Sequence, residues 1–317
     1  MKLNSSIFVA GHKGLVGSAI VRKLKSYGYS NIYVVQRSEL DLSNQAAVNE
    51  WFRINSPRYV IDAAAKVGGI LRNKTHKADM IYQNIMIQTN LIDAAYHNNC
   101  EKFLFLGSSC IYPKESNIPI KEDQLMGGQL ETTNDSYAIA KIAGIYMCKS
   151  YLKQYGFNAI SALPCSLYGP GDNYDLNNSH VLPALIRKCH EGKVNTKIKN
   201  KLRNIPTIEL WGDGSPLREF LYVDDLAAAC IFLMLEYSGE EHINIGSGNE
   251  ISIKDLAKLT SEIVGYKGNF NWDRSKPNGA LRKLLDSSKI KYLGWESKVT
   301  LTDGIKNSYE DFKKRYD

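Results

Sequence analysis

Ser136-Tyr137-Ala138-Ile139-Ala140-Lys141 sets a phenol and an ammonium four residues apart. On a helix that spacing puts both on one face, about one turn apart. A tyrosine at its ordinary pKa near ~10 is a poor acid or base at neutral pH, but a neighbouring cation favours phenolate and draws it toward the working range. Lys141 can supply that charge, and it can also hold a ribose so that Tyr137 stands beside a carbon accepting hydride. By itself the spacing is common on exposed helices. Upstream, Gly107-Ser108-Ser109-Cys110 closes a strand, and Ser108 can hydrogen-bond the same carbonyl oxygen that Tyr137 protonates.

Such chemistry needs a hydride carrier. The strand Ile7–Ala10 runs into Gly11-His12-Lys13-Gly14-Leu15-Val16-Gly17, where a helix starts near Leu15. Glycines there permit a tight turn and let backbone amides approach a pyrophosphate at the positive end of the helix. Its place in the first strand-turn-helix of an alternating chain separates it from an ordinary glycine-rich turn. An acid at the tip of the second strand would bind a ribose 2′-hydroxyl, whereas a base tolerates a 2′-phosphate. The tip reads Val34-Val35-Gln36-Arg37, and Arg37 with Lys13 can bracket a phosphate. Glu39 and Asp41 lie further on and read as the start of the next helix, so NADP(H) is expected over NAD(H).

The elements that position these groups are legible as alternating runs. Ile7–Ala10, Ile32–Val35, Tyr59–Asp62, Phe103–Leu106 and Ala159–Leu163 read as strands, each followed by a helix-length crossover. Strands so connected form a parallel sheet wound right-handed and covered on both faces, a Rossmann-type doubly wound α/β fold. After Tyr168-Gly169-Pro170 the pattern shifts to loops, shorter helices and turns such as Gly212-Asp213-Gly214 and Lys276-Pro277-Asn278-Gly279, which implies a smaller α/β lobe. Val223–Leu235 followed by Ile243–Gly246 reads as helix then strand and can return to the first sheet. The expected division is 1–167 plus about 221–246 for the dinucleotide domain, with about 168–220 plus 247–317 for the substrate domain.

Composition narrows the partners. The chain has 317 residues, 44% of them hydrophobic, and a formal charge of +7, a modest excess that suits an anionic small molecule as well as a polyanion. Lys193, Lys197, Lys199, Lys201 and Arg203 crowd one stretch, most simply a solvated loop over 193–204. It has no interleaved aromatic residue, so nucleic-acid binding is not expected. The 6 cysteines are scattered without a CxxC pair, which points to reduced thiols and to neither a metal site nor a disulfide framework. No leader is evident and no run approaches the ~20 apolar residues of a membrane span, so a soluble, cytoplasmic protein is expected.

The glycine turn, the Ser and the Tyr–Lys pair, in these places, resemble the extended short-chain dehydrogenases that act on nucleotide-linked sugars. A narrower likeness covers the chain to about Trp295. Gly11-His12-Lys13-Gly14-Leu15-Val16-Gly17-Ser18-Ala19, Ala63-Ala64-Ala65-Lys66-Val67-Gly68-Gly69-Ile70, Gly107-Ser108-Ser109-Cys110-Ile111-Tyr112-Pro113, Asn178-Ser179-His180-Val181 and Arg218-Glu219-Phe220 resemble the GDP-L-fucose synthase family. That likeness implies 3,5-epimerisation of a GDP-4-keto-6-deoxy sugar followed by reduction of its 4-keto group with NADPH. It implies Cys110 and His180 as the acid–base pair of epimerisation, beside Ser108, Tyr137 and Lys141 for reduction. It places Ala64, Pro164 and His180 against the cofactor, and Ser109, Lys188, Trp211, Arg218, Asn278 and Arg282 against the substrate. It also implies a homodimer joined through the segments 78–98 and 137–155.

The chain departs from the family pattern at three places. Cys165-Ser166 stands where Thr-Asn is expected, Asn278-Gly279-Ala280-Leu281-Arg282 where Asp-Gly-Thr-Pro-Arg is expected, and Lys188 where Arg is usual. A GDP-4-keto-6-deoxy-heptose 4-reductase, with epimerisation kept or lost, is therefore the rival reading. A 4,6-dehydratase would need an acid pair after its catalytic Ser or Thr, and Cys110-Ile111 occupies that region. A non-catalytic dinucleotide-binding regulator would be signalled by loss of Ser108, Tyr137 or Lys141, and all three are present.

Overall fold

The computed structural model of the chain describes residues 1–176, 178–198, 206–276 and 278–316. In the first half β1 (Ile7–Ala10), α1 (Leu15–Ser26), β2 (Ile32–Tyr33), α2 (Gln45–Asn55), β3 (Tyr59–Asp62), α3 (Ile70–Thr75), α4 (Lys77–His97), β4 (Lys102–Leu106), α5 (Asp135–Tyr155) and β5 (Ala159–Pro164) alternate. There follow β6 (Ser166–Tyr168), α6 (Val181–Ile198), β7 (Ile208–Trp211), β8 (Leu217–Tyr222), α7 (Val223–Glu236) and β9 (Ile243–Ile245). The chain ends with β10 (Glu250–Ser252), α8 (Ile253–Val264), β11 (Phe270–Asp273), β12 (Arg282–Lys283), α9 (Ser288–Tyr292) and α10 (Leu301–Tyr316).

β1, β3, β4 and β5 are buried along their whole length, as strands covered on both faces must be. They form a parallel sheet in the order β2-β1-β3-β4-β5-β9, and β9 joins it beside β5. α1 packs with α7, and α4 with α2 and α5, giving the helical layers of a doubly wound sheet. The winding reverses between β1 and β3, and such a reversal opens a crevice at the carboxyl ends of the strands. A second sheet runs β10-β8-β12, with β6 against β8, and β7 pairs with β11.

Three local readings need correction. β2 stops at Tyr33 because it is an edge strand held by two residues of β1, and Val34 already faces solvent. Glu39 and Asp41 do not begin α2: Asp41 accepts from Ser43 in a turn, and Asn44 caps the helix by accepting from Ala47 N. The loop expected over 193–204 is helical to Ile198, while Lys199, Lys201, Arg203 and Pro277 lie outside the described residues.

Two apolar cores fill the molecule. The larger surrounds the parallel sheet, and the smaller gathers Tyr168, Tyr174, Leu182, Ile186, Leu256 and Phe312. Leu285, Ile290 and Trp295 join the larger core, so part of the segment expected with the smaller lobe packs on the dinucleotide side. No described helix is long and apolar enough to cross a membrane.

Candidate active site

The β1–α1 turn is pressed against the end of β3. Gly11 has φ +78°, and a Cβ there would lie 2.6 Å from the Ala63 carbonyl oxygen, while one on Gly17 would lie 2.2 Å from that of Gly11. Only hydrogen fits at either position. Gly14 caps α1 without a side chain, and the first turn, entered through Leu15 and Val16, has no acid. The leading amides thus lack a side-chain partner at the positive end of the helix. Lys13 Nζ donates to Gln36 Oε1 at 2.7 Å, which ties the turn to the segment after β2 where Arg37 is exposed. His12 lies within the turn, and Ala64 N donates to Asp62 Oδ1 at 3.0 Å where the chain leaves β3. Pro164 ends β5.

α5 lays one stripe against this sheet. Tyr137, Lys141, Gly144 and Cys148 recur at helical spacing, and Gly144 permits close approach because a Cβ there would lie 2.4 Å from Phe105 Cζ. The Lys141 ammonium sits 4.5 Å from the Phe105 ring centroid and donates to the Leu106 carbonyl at 2.8 Å. Burial pushes the Tyr137 phenol well above its ordinary value, and the negative forms of Cys110 and Asp62 push it further. The expected lowering by Lys141 does not appear: its ammonium is turned to Leu106, and desolvation dominates the phenol.

Ser108 follows β4 and accepts from Cys110 N at 3.5 Å, opening a short 3-10 turn over Ser109–Ile111 that carries Ser109 and Cys110. Burial pushes the Cys110 thiol up, opposed by the charge of Lys283, the Ser108 hydroxyl and Lys141. Ser108, Cys110, Tyr137 and Lys141 are therefore one electrostatic group.

The second sheet supplies the other wall. Arg218 on β8 is in register with Lys283 on β12, and the Arg218 Nη1 donates to the Leu217 carbonyl at 2.8 Å. Burial lowers the pKa of both cations. Arg282, by contrast, holds Glu250 through Nε at 3.0 and 2.9 Å. Asn278 Oδ1 accepts from Asp213 N at 2.9 Å, and Lys188 Nζ donates to the Glu209 carbonyl at 2.8 Å. Trp211 is 52% exposed, with Lys276 Nζ 5.8 Å from its ring. It presents an open aromatic face.

His180 precedes α6, and its carbonyl accepts from Ala184 N at 3.1 Å. Its side chain is open to solvent, yet enough protein surrounds it to lower the imidazole pKa by desolvation. Gly69 approaches the carbonyls of Asn178 and Ser179 within 3.5 Å of where a Cβ would sit, so the segment leading to His180 meets the loop after β3.

Two site residues escaped the reading of the sequence. Lys283 lies next to Arg282 in the motif, is in register with Arg218 on β8, and brings its charge to Cys110. Asp62 ends an apolar strand, and the signal was an acid where burial on both faces was already expected.

The family model described as "NAD dependent epimerase/dehydratase family" matches residues 7–246. The chain is 54% identical to GDP-L-fucose synthase 1 of Arabidopsis thaliana over 98% of its own length and 94% of that protein. Among solved structures, a GDP-6-OMe-4-keto-L-xylo-heptose reductase from C. jejuni superposes with a TM-score of 0.92 at 39% identity, covering 99% of each chain. MlghC, a GDP-mannoheptose C4 reductase from Campylobacter jejuni with NADP bound, does so with 0.89 at 40% identity over 99% of each chain. Glycine turn, Tyr–Lys stripe and full-length identity agree, and the chain belongs to the GDP-L-fucose synthase family within the extended short-chain dehydrogenases/reductases.

Proposed function

We propose that the protein is an NADPH-dependent reductase of the 4-keto group of a GDP-linked 4-keto-6-deoxy sugar, coupled to epimerisation at C-3 and C-5. The observation that carries it is the convergence of Ser108, Cys110, Tyr137 and Lys141 at the carboxyl end of β4, in the same parallel sheet whose β1 runs into the turn at Gly11–Gly17. The turn suits a dinucleotide: only hydrogen fits at Gly11 and Gly17, which keeps the turn tight, and the first amides of α1 have no side-chain cap. Gly11 to Gly17, Ala64, Pro164 and Lys141 would hold it, with Lys13 and Arg37 at the 2′-phosphate and His180 at the rim. When bound, the reduced nicotinamide supplies the hydride.

The residues do the rest. Ser108 donates to the 4-keto oxygen and steadies it as enolate or alkoxide. Tyr137, held protonated at neutral pH by burial, gives that oxygen its proton. Cys110 and His180 take and return the protons on the carbons beside the ketone. Trp211 offers the guanine a flat face, Arg218 and Lys188 meet the diphosphate, and Arg282 reaches it by leaving Glu250. Ser109 and Asn278 line the sugar side. We place the cofactor lobe at 1–167 plus about 221–246 and the protein in the cytoplasm as a homodimer.

A second reading, a heptose 4-reductase, is favoured by the departures from the family pattern at Cys165-Ser166 and Asn278 and by the likeness to C. jejuni heptose reductases. Reaction in deuterium oxide with GDP-4-keto-6-deoxymannose or its heptose counterpart, using NADPH and NADH, with NMR of the product, decides between them. NADPH oxidation with deuterium at C-3 and C-5 supports the main reading, and oxidation with no deuterium leaves the simple reductase. Arg37→Asp is expected to narrow the NADPH preference, and equal use of both cofactors by the unaltered protein overturns that assignment.

A further inference from the structure

We propose that Asp62 is a positioning residue for proton transfer, its carboxylate keeping the Lys141 ammonium charged where it donates to the Leu106 carbonyl, one turn of α5 from Tyr137; this rests on the reductase reading above. Asp62 is the last residue of β3 and is 0% exposed. It is in register with Phe105 of β4, so the two side chains leave the same face of the sheet. That face belongs to α5, because the Phe105 ring lies under Lys141 and against Gly144. Asp62 Oδ1 accepts from Ala64 N at 3.0 Å, while Oδ2 is buried with no hydrogen-bond partner among the described residues. A carboxylate so placed is costly unless a proton or a cation answers it.

The groups that sense Asp62 are Tyr137, Lys141 and Cys148, all on α5. Its partner on β1 is Ala10, and β4 brings Phe105 and Leu106. α4, which also packs on β3, buries the uncharged Asn84 and Gln88, while its charged Lys77, Asp79 and Asp93 are engaged by Asp135, Lys66 and Tyr151. Lys141 is thus the one cation among the described residues that the carboxylate faces. The support is mutual. Burial raises Asp62 to about 6 with Lys141 opposing, and burial lowers Lys141 with Asp62 opposing. Above that pH the carboxylate holds the ammonium charged where it donates to Leu106. Below it Asp62 takes a proton and the counter-charge is gone.

The test is carbon-13 NMR of the full chain labelled at aspartate Cγ, with the Asp62 resonance identified by its loss in Asp62→Asn. A midpoint near 6 is expected in the unaltered protein, moving upward in Lys141→Met. In the pH profile of NADPH oxidation, Asp62→Asn is expected to remove the acid limb. It should also move the basic limb down by about one unit, the usual weight of a charge at close range. The isosteric Asn keeps the acceptor for Ala64 N, so the fold is retained. An Asp62 resonance titrating near ~4, whether or not Lys141 is present, overturns the proposal, as does an Asp62→Asn profile that superposes on the original. If no GDP-4-keto sugar supports NADPH oxidation, the reductase reading falls, and the NMR titration still decides the coupling.

Discussion

A phenol and a thiol share the end of β4, and burial pushes both toward their protonated forms. For Tyr137 this suits reduction, in which the oxygen that receives hydride must also receive a proton. For Cys110 it means a resting thiol, with Lys283 and Lys141 easing its ionisation when a proton is to be taken from carbon. The two roles come apart by substitution. Tyr137→Phe keeps the ring and removes the donor, so kcat for reduction is expected to fall by ~10² or more, while deuterium exchange at the carbons beside the ketone persists. Cys110→Ser is expected to slow that exchange and yield unepimerised or singly epimerised product, with reduction continuing. Product stereochemistry by NMR checks both, and equal loss of exchange in the two variants would refute the division. His180→Asn is expected to act on exchange through its own step.

At the scale of elements, helix α5 does the positioning, and its instrument is Gly144. With only hydrogen there, the helix settles onto Phe105, and the ring in turn carries Lys141. Gly144→Ala would set a methyl 2.4 Å from Phe105 Cζ in a buried contact. Overpacking of this kind costs about 1–3 kcal/mol, so a lower thermal midpoint together with weaker NADPH binding is expected. An unchanged midpoint and unchanged binding would show that the contact relaxes freely. Much of this arrangement was legible beforehand. β1, β3, β4 and β5 announced themselves as apolar runs because strands buried on both faces carry little else, and the glycines at 11 and 17 because no other residue fits. Tyr137 and Lys141 were readable from helical spacing taken together with the glycine turn and Ser108 upstream. What escaped depended on distant pairing. Lys283, in register with Arg218 on the second sheet, brings its charge to Cys110, and the Lys141 ammonium is held by a carbonyl of β4. The start of α2 was misplaced because Asp41 and Asn44 both suit a cap, and only the settled chain shows that Asn44 takes the amide.

For the whole molecule, the proposed dimer would form through the outer surface of the α4–α5 pair. The inward stripe of α5 is spent on the site, but Ile139, Ala143, Tyr146 and Ser150 form an outward stripe without charge. On α4 the exposed Ala78 and Tyr82 continue it, and Tyr82, Ile139 and Tyr146 are 64%, 46% and 48% exposed. Exposed apolar side chains on two packed helices suit an interface, and a two-fold axis would set the pair against its copy as four helices. The consequence reaches the chemistry, because the helix that carries Tyr137 and Lys141 would be clamped between its own sheet and the second subunit. Light scattering at micromolar concentration is expected to give twice the chain mass. Ile139→Asp combined with Tyr146→Asp puts like charges across the axis and is expected to give monomers with an unchanged circular dichroism spectrum, since neither side chain enters a core. Those monomers are expected to reduce substrate more slowly, with kcat rather than KM affected, because α5 would have lost its outer support. A monomeric unaltered protein would refute the interface, and monomeric variants with full kcat would show that α5 is held by its own sheet alone.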